Sequence, residues 1–314
     1  MDRNLALELV RVTESAALAS ARFFGKGDPA SADRAAVEAM ELSFKGVKIS
    51  GHIIIGEERI SESSKLCVGD TIGAGGEAAF DIVLDPVDCI EALADGQSNS
   101  ISAIAMGQRG TFLELVAPYM RKLAVGAEAA DAIDLNASVF DNLVRIADAK
   151  RVYVEDLTVS ILDRERHRKL IDEVRRAGAR IELLKAGELA AAISASLPGT
   201  GIDVMMGVGD AKQGIIAAAA VACLGAGLQV QFMPDRDAEP ENLSGEFRKI
   251  YGARDLVGGD VMFAATGASR SDFLDGVMFR PGGAVTHSVV FRSKSGTIRF
   301  LKTEHSFEKA PDYT

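Results

Sequence analysis

With 314 residues, 47% of them hydrophobic and 25% charged, the chain has apolar mass for one large α/β domain or two closely packed halves. Its formal charge of −10 argues against a nucleic-acid partner, and no apolar run approaches the ~18 residues of a membrane span. The start, Met1-Asp2-Arg3-Asn4, has no basic region followed by an apolar one. Its three cysteines (Cys67, Cys89, Cys223) lack metal-ligand spacing and suit a reducing, cytoplasmic setting.

Apolar positions at helical spacing (Leu9-Val10, Ala16-Ala17, Phe23-Phe24) predict a helix over residues 5–24, closed by Gly25. A second helix is expected from Ser31 to about Phe44, with Ala36, Val37 and Met40 inward and Asp33 in its first turn. Taken alone, Asp33 reads as a surface carboxylate complementing the helix dipole. Strands follow at 48–55, 67–68 and 79–84, the first ending just before Glu57. Gly73-Ala74-Gly75-Gly76 reads as a turn; no helix follows it, so it is not a nucleotide loop. Residues 102–107 and 111–115 read as a hairpin through Gln108-Arg109-Gly110, and 119–125 lead into a linker reaching Asp131.

After residue 150 the pattern alternates. Strands are predicted at 157–162, 180–184, 202–208 and 227–232, with helices at 167–177, 189–196 and 214–224 between them. A polar helix over 238–251, a strand at 261–266 and a hairpin of 284–291 with 296–303 complete the chain. The expected organisation is a mixed-sheet half (1–150) and an α/β half (151–314), with ligand sites at strand ends.

The segment from Phe80 to Ile90 organises the functional reading. Ile82-Val83-Leu84 forms an apolar run, Asp85 ends it, Pro86 breaks the ladder and Asp88 follows three residues on. Two carboxylates so placed can face one point and suit a hard cation such as Mg²⁺ or Mn²⁺. The alternative is an Asp-Pro turn with Asp88 capping a helix.

Further segments carry a resemblance: Arg11-Val12-Thr13-Glu14-Ser15-Ala16-Ala17, Gly25-Lys26-Gly27-Asp28, Ala32-Asp33, Ile55-Gly56-Glu57, Ile133-Asp134-Leu135-Asn136, Arg166-His167, Gly207-Val208-Gly209 and Ala264-Ala265-Thr266-Gly267. In this order they resemble the class II, GlpX-type fructose-1,6-bisphosphatases over residues 3–305. The resemblance implies the layered α/β/α/β/α fold of the lithium-sensitive sugar phosphatases and Mg²⁺- or Mn²⁺-assisted hydrolysis of the 1-phosphate of a sugar bisphosphate, as in gluconeogenesis. It carries the metal ligands onto Asp33, Glu57, Asp85 and Asp88, with Glu57, Asp85 and Asp88 at the chemistry. Tyr119, Arg164, Arg166 and Glu188 match positions that contact the substrate, and a homo-oligomer is expected. The bland reading of Arg164, Arg166 and Arg168 is a solvated helix start.

Several positions depart from the family pattern. Ile90 stands where a hydroxyl would polarise the attacking water, and Cys89 replaces a glycine at a helix start. Gln213 replaces a metal-binding Glu, keeping an oxygen but losing a charge, so it is at most a weak ligand. Glu58-Arg59-Ile60-Ser61 lacks two acids, Pro29 replaces a Lys, and Ala186 replaces an Asp. Losing a water-activating group costs about 10²–10⁴ in rate. The expectation is thus a sugar-bisphosphate phosphatase of reduced or altered activity. The alternative is an inactive homologue that binds a sugar phosphate, or an active paralogue as its regulatory subunit.

Overall fold

The computed structural model of the chain describes residues 4–59, 65–76, 79–114 and 116–308. Two helices, α1 (Leu5–Ala21) and α2 (Pro29–Phe44), precede β1 (Ser50–Ile55), β2 (Thr71–Ile72), β3 (Ala79–Asp85), α3 (Ile90–Ala94) and β4 (Ile101–Gln108). Next come β5 (Tyr119–Val125), α4 (Val139–Lys150), β6 (Thr158–Leu162), α5 (Arg168–Ala177), β7 (Arg180–Leu184) and α6 (Glu188–Ser196). The chain continues through β8 (Val204–Asp210), α7 (Ala211–Leu224), β9 (Gly227–Met233), β10 (Ile250–Gly252) and α8 (Ala253–Leu256). Strands β11 (Val261–Gly267), β12 (Met278–Arg280), β13 (Gly283–Arg292) and β14 (Thr297–Ser306) follow. The expected α/β class holds, with two multistranded sheets.

One sheet has the order β12-β13-β11-β4-β3-β1-β2, with β14 also on β13; the other runs β10-β9-β5-β8-β6-β7. Two compact units correspond to them: Met1–Phe112 with Gly259–Thr314, and Leu113–Gly258. This division differs from a single cut at residue 150, because β11 returns to hydrogen-bond β4 along its whole length.

In the first unit α1 buries Leu9, Val12, Ala16 and Ala17, a stripe at helical spacing, within a core that includes Met40, Phe44, Ile53, Ile82 and Ile104. Asp28 caps α2 by accepting the Ser31 amide at 3.0 Å, and Pro29 sits in the first turn, so the helix opens before Ser31. Strand β3 is buried from Phe80 to Asp85, matching its near-continuous apolar run.

In the second unit β5 lies between β8 and β9, antiparallel to both, while β6 runs parallel to β7 and β8. Its core gathers Leu123, Val125, Leu143, Ile146, Ile161, Ile171 and Val174. Helix α7 is buried nearly all round, which its alanine-rich sequence permits.

Three predicted elements differ. Residues 111–114 are not a strand (Leu115 lies outside the described residues); Leu113 instead donates its amide to Leu256 O at 2.9 Å, and β4 pairs with β3 and β11. The polar helix over 238–251 is replaced by short 3-10 turns at Pro240–Asn242 and Gly245–Arg248, then by β10. Pro240 and Gly245 disfavour a continuous helix, and Tyr251 packs edge-on against Phe232 instead. At 67–68 only an isolated bridge between Cys67 and Glu57 forms.

Candidate functional site

Adjacent parallel strands carry Glu57 and Asp85 to the same end of the first sheet. Ile55 pairs with Val83, and each carboxylate follows its strand's paired residue by two positions. Asp85 closes β3 opposite Ala103. Asp88, three residues further, donates its amide to Ile101 O at 2.8 Å, at the start of antiparallel β4 and so at the same end. Both Asp85 and Asp88 are buried. Asp33 lies early in α2, which packs beside α3. The loop feeding α2 is tied to α3 by Gly25 N–H to Leu93 O (3.0 Å) and Gly27 N–H to Ala94 O (2.8 Å).

Backbone placement therefore brings these acids to one region of the first unit, and their oxygens are the donors a hard divalent cation takes. Their side chains are less tightly gathered: among the described residues, no three His, Cys, Asp or Glu side chains form a group that could hold a metal ion. The donor chemistry fits such an ion, while the side chains do not enclose one. Arg59, which adds a positive charge to this loop, is ion-paired with Asp70, so that charge is largely compensated. Ile60 and Ser61 lie outside the described residues.

The turn after Asp85 removes the helix-cap reading of Asp88. The residue at the N-cap of α3 is Cys89, not Asp88, and it makes no side-chain cap hydrogen bond. Cys89 has φ 61° and ψ 51°, the left-handed region a glycine occupies without cost. The strained turn is held by Ser100 Oγ–H and the Leu93 amide, both donating to Cys89 O at 3.1 Å. Ile90 then opens the helix. On the neighbouring loop, Leu66 has φ 58° and accepts the Glu57 amide at 2.9 Å.

The second unit builds a cationic cluster at one end of its sheet. Parallel strands β6, β7 and β8 end there, and antiparallel β5 begins there with Tyr119 opposite Asp210. Arg164 and Arg166 follow β6, Glu188 opens α6 after β7, and Gln213 lies in the first turn of α7 after β8. Arg166 donates Nε and Nη2 to Val208 O at 3.2 and 2.9 Å. Arg164 is anchored through Nη2 to Lys185 O at 2.6 Å. Arg168 belongs to the helix start and bonds Glu165 at 3.2 Å.

Sequence reasoning missed three members of this end. Arg236 donates Nη2 to Tyr119 Oη at 2.8 Å, with its guanidinium 5.1 Å from that ring's centroid. Burial pushes the Arg166 guanidinium below its ordinary value; Glu188 acts the other way, and the like charges of Arg164 and Arg236 push it down further. Lys122, almost fully buried, lies 3.0 Å from Glu188 Oε1 and donates to Asp210 O at 2.6 Å. Burial, and after it the nearby Glu188 charge, raises the carboxyl of Asp210. A lysine in an apolar strand is a visible signal, but its partner is distant in sequence.

Gly209 is required here: a Cβ on it would sit 1.7 Å from Glu188 Oε2. His167 braces the same end, with Nδ1 2.8 Å from Leu162 O and Nε2 accepting the Val208 amide at 2.9 Å. Burial holds this imidazole below its ordinary pKa. Guanidinium groups gathered in this way suit a phosphate, which they hold through paired N–H donors.

Comparison with known proteins is consistent across the chain. A family model described as bacterial fructose-1,6-bisphosphatase, glpX-encoded, matches residues 3–305. The D-fructose 1,6-bisphosphatase class 2/sedoheptulose 1,7-bisphosphatase of Synechococcus elongatus is 36% identical over an alignment of 337 positions, gaps included, covering 98% of each chain. A protein of the same name from Trichodesmium erythraeum is 37% identical over 336 such positions, covering 98% of this chain and 97% of that one.

Proposed function

Because the chain belongs to the bacterial glpX-encoded fructose-1,6-bisphosphatase family, we propose that it hydrolyses the 1-phosphate of a sugar bisphosphate with Mg²⁺ or Mn²⁺, at a reduced or altered rate. The observation that carries this reading is the placement of Glu57 and Asp85 at the same end of adjacent parallel strands, with Asp88 following in the turn. Asp33, Glu57, Asp85 and Asp88 would hold the metal. Bound there, a divalent cation supplies an activated water and neutralises charge that builds on the transferring phosphoryl group.

The chain's own groups account for the rest. Arg164, Arg166 and Arg236 would hold substrate phosphate by charge-assisted hydrogen bonds, and Tyr119 would fix the orientation of Arg236. Glu188, engaged with Lys122, would act by positioning the β5 and β8 ends more than by binding a sugar hydroxyl. The substrate is a small sugar phosphate. No helix among the described residues is long and apolar enough to cross a membrane.

A second reading is favoured by one turn: Cys89 occupies a left-handed position beside Ile90, which has no hydroxyl to orient a water. On that reading the chain binds a sugar phosphate without turnover, or pairs with an active paralogue as its regulatory subunit. A phosphate-release assay with Mn²⁺ over a panel of sugar bisphosphates separates the two. Turnover well above an Asp85→Ala control supports hydrolysis. Where the wild type is silent, Cys89→Gly/Ile90→Thr/Gln213→Glu together should restore release, and a silent triple variant would remove this account of the defect.

A further inference from the structure

Asp210 ends β8 directly opposite Tyr119, the first residue of β5. Cross-strand partners place their side chains on the same face of a sheet, so the Asp210 carboxylate and the Tyr119 ring are neighbours. Arg236 lies over that ring and donates Nη2 to Tyr119 Oη at 2.8 Å. Arg166 is anchored on Val208 O, two residues earlier on β8. Asp210 thus stands beside the anchoring points of both guanidinium groups, and the charges of Glu188, Lys122, Arg236 and Arg166 all act on its carboxylate.

The backbone of Asp210 is fixed from two sides: its amide donates to Glu188 Oε1 at 2.8 Å, and its carbonyl accepts from Lys122 Nζ at 2.6 Å. The side chain has no such structural task. An aspartate at a helix N-cap ordinarily accepts an amide of the first turn, yet Asp210 is the N-cap of α7 and makes no side-chain cap hydrogen bond. Its carboxylate is partly enclosed by its neighbours but reaches solvent at the strand end. Glu188 beside it is almost fully buried, with Oε1 held by Lys122 and the Asp210 amide. A negative charge next to two arginines weakens their hold on a bare phosphate. That penalty is offset only by a ligand that brings a hydrogen-bond donor along with its phosphate.

We propose that Asp210 is a specificity-determining residue, accepting a hydrogen bond from a sugar hydroxyl near the phosphate held by Arg166 and Arg236. It selects phosphate esters of polyhydroxylated carbon chains over simple phosphates, repelling the anion and rewarding the hydroxyl. This inference rests on the reading of the cationic end as a phosphate-binding site.

Titration calorimetry of the full-length protein with fructose 6-phosphate and with methyl phosphate, an ester of equal charge without a hydroxyl, tests it. The wild type should prefer the sugar phosphate. Asp210→Ala should tighten methyl phosphate and lower the ratio of the two affinities by about tenfold or more, the range of a hydrogen bond to a charged acceptor. Asp210→Asn keeps an acceptor oxygen without the charge, so it should tighten methyl phosphate as much and lower the ratio less. Neither variant loses a cap bond, so both should keep the wild-type melting temperature. A ratio that Asp210→Ala leaves unchanged, or methyl phosphate bound no more tightly by either variant, would overturn the proposal and leave the phosphate site standing. Arg166→Ala should weaken both ligands. If it weakens neither, the cationic end holds no phosphate, and the site reading falls together with the proposal.

Discussion

Lys122 Nζ lies 3.0 Å from Glu188 Oε1, both side chains almost fully buried, and that same oxygen accepts the Asp210 amide at 2.8 Å. One carboxylate thus ties β5, α6 and β8 together beneath the cationic end of the second sheet. Glu188→Ala should leave a buried ammonium uncompensated and destabilise the unit by about 3–5 kcal/mol. Lys122→Met combined with Glu188→Gln should cost clearly less than the two single losses summed. Urea unfolding of the four species, analysed as a double-mutant cycle, measures the coupling; additive losses would show that the pair does not act as a unit.

His167 gives the fold a pH dependence with a definite sign. Burial lowers its folded pKa, so below about 6.5 the unfolded chain binds the proton more readily. Its contribution to stability is present above that value and is lost as pH falls toward the folded pKa. Urea midpoints should therefore decline on acidification below about pH 6.5, and His167→Gln should flatten part of that slope. An unchanged slope in the variant would assign the acid sensitivity elsewhere.

Cys89 holds a left-handed conformation that costs a residue with a Cβ about 1–2 kcal/mol, partly offset because glycine loses more backbone entropy on folding, about 0.5–1 kcal/mol. Cys89→Gly should accordingly be neutral or stabilising by up to about 1 kcal/mol, while the β-branched Cys89→Val should be destabilising. Thermal melts followed by circular dichroism separate the outcomes. A destabilised Cys89→Gly would mean that the thiol's contacts outweigh the strain.

Arg166 and Arg236 should separate binding from chemistry. Loss of one charge-assisted phosphate contact is expected to raise KM by about 10–100-fold, with a smaller change in kcat. Tyr119→Phe removes the hydroxyl that fixes Arg236 but keeps the ring under its guanidinium, so its KM should shift less than that of Arg236→Ala. Titration calorimetry with inorganic phosphate gives a readout that does not depend on turnover. Equal phosphate affinity in wild type and Arg236→Ala would take that residue out of the site.

Removing divalent cations tests the carboxylates directly. Chelation should abolish phosphate release and Mn²⁺ should restore it, while Asp85→Asn should weaken Mn²⁺ binding measured calorimetrically even in the absence of substrate. Mn²⁺ binding that Asp85→Asn leaves intact would place the ion elsewhere.

Local pattern made α1, α2, α5, α6, α7 and most strands legible. The apolar stripes of α1 and α2, the near-continuous run of β3 and the turn before β14 are written in neighbouring residues, and the motifs around Asp33, Glu57 and Asp85 were enough for the family. One local signal was missed: Ser138 accepts the Asp141 amide at 3.0 Å to cap α4, a Ser-x-x-Asp start readable from the chain.

What the sequence by itself determined was which residue types stand at strand ends: carboxylates after β1 and β3, arginines after β6. Only the tertiary structure decided that β11 returns to β4, that Lys122 engages Glu188, and that Cys89 takes a left-handed turn. Periodicity reports contacts within about one helical turn or one strand. Sheet order and the partners of buried charges depend instead on contacts between residues far apart in sequence, which no local pattern encodes.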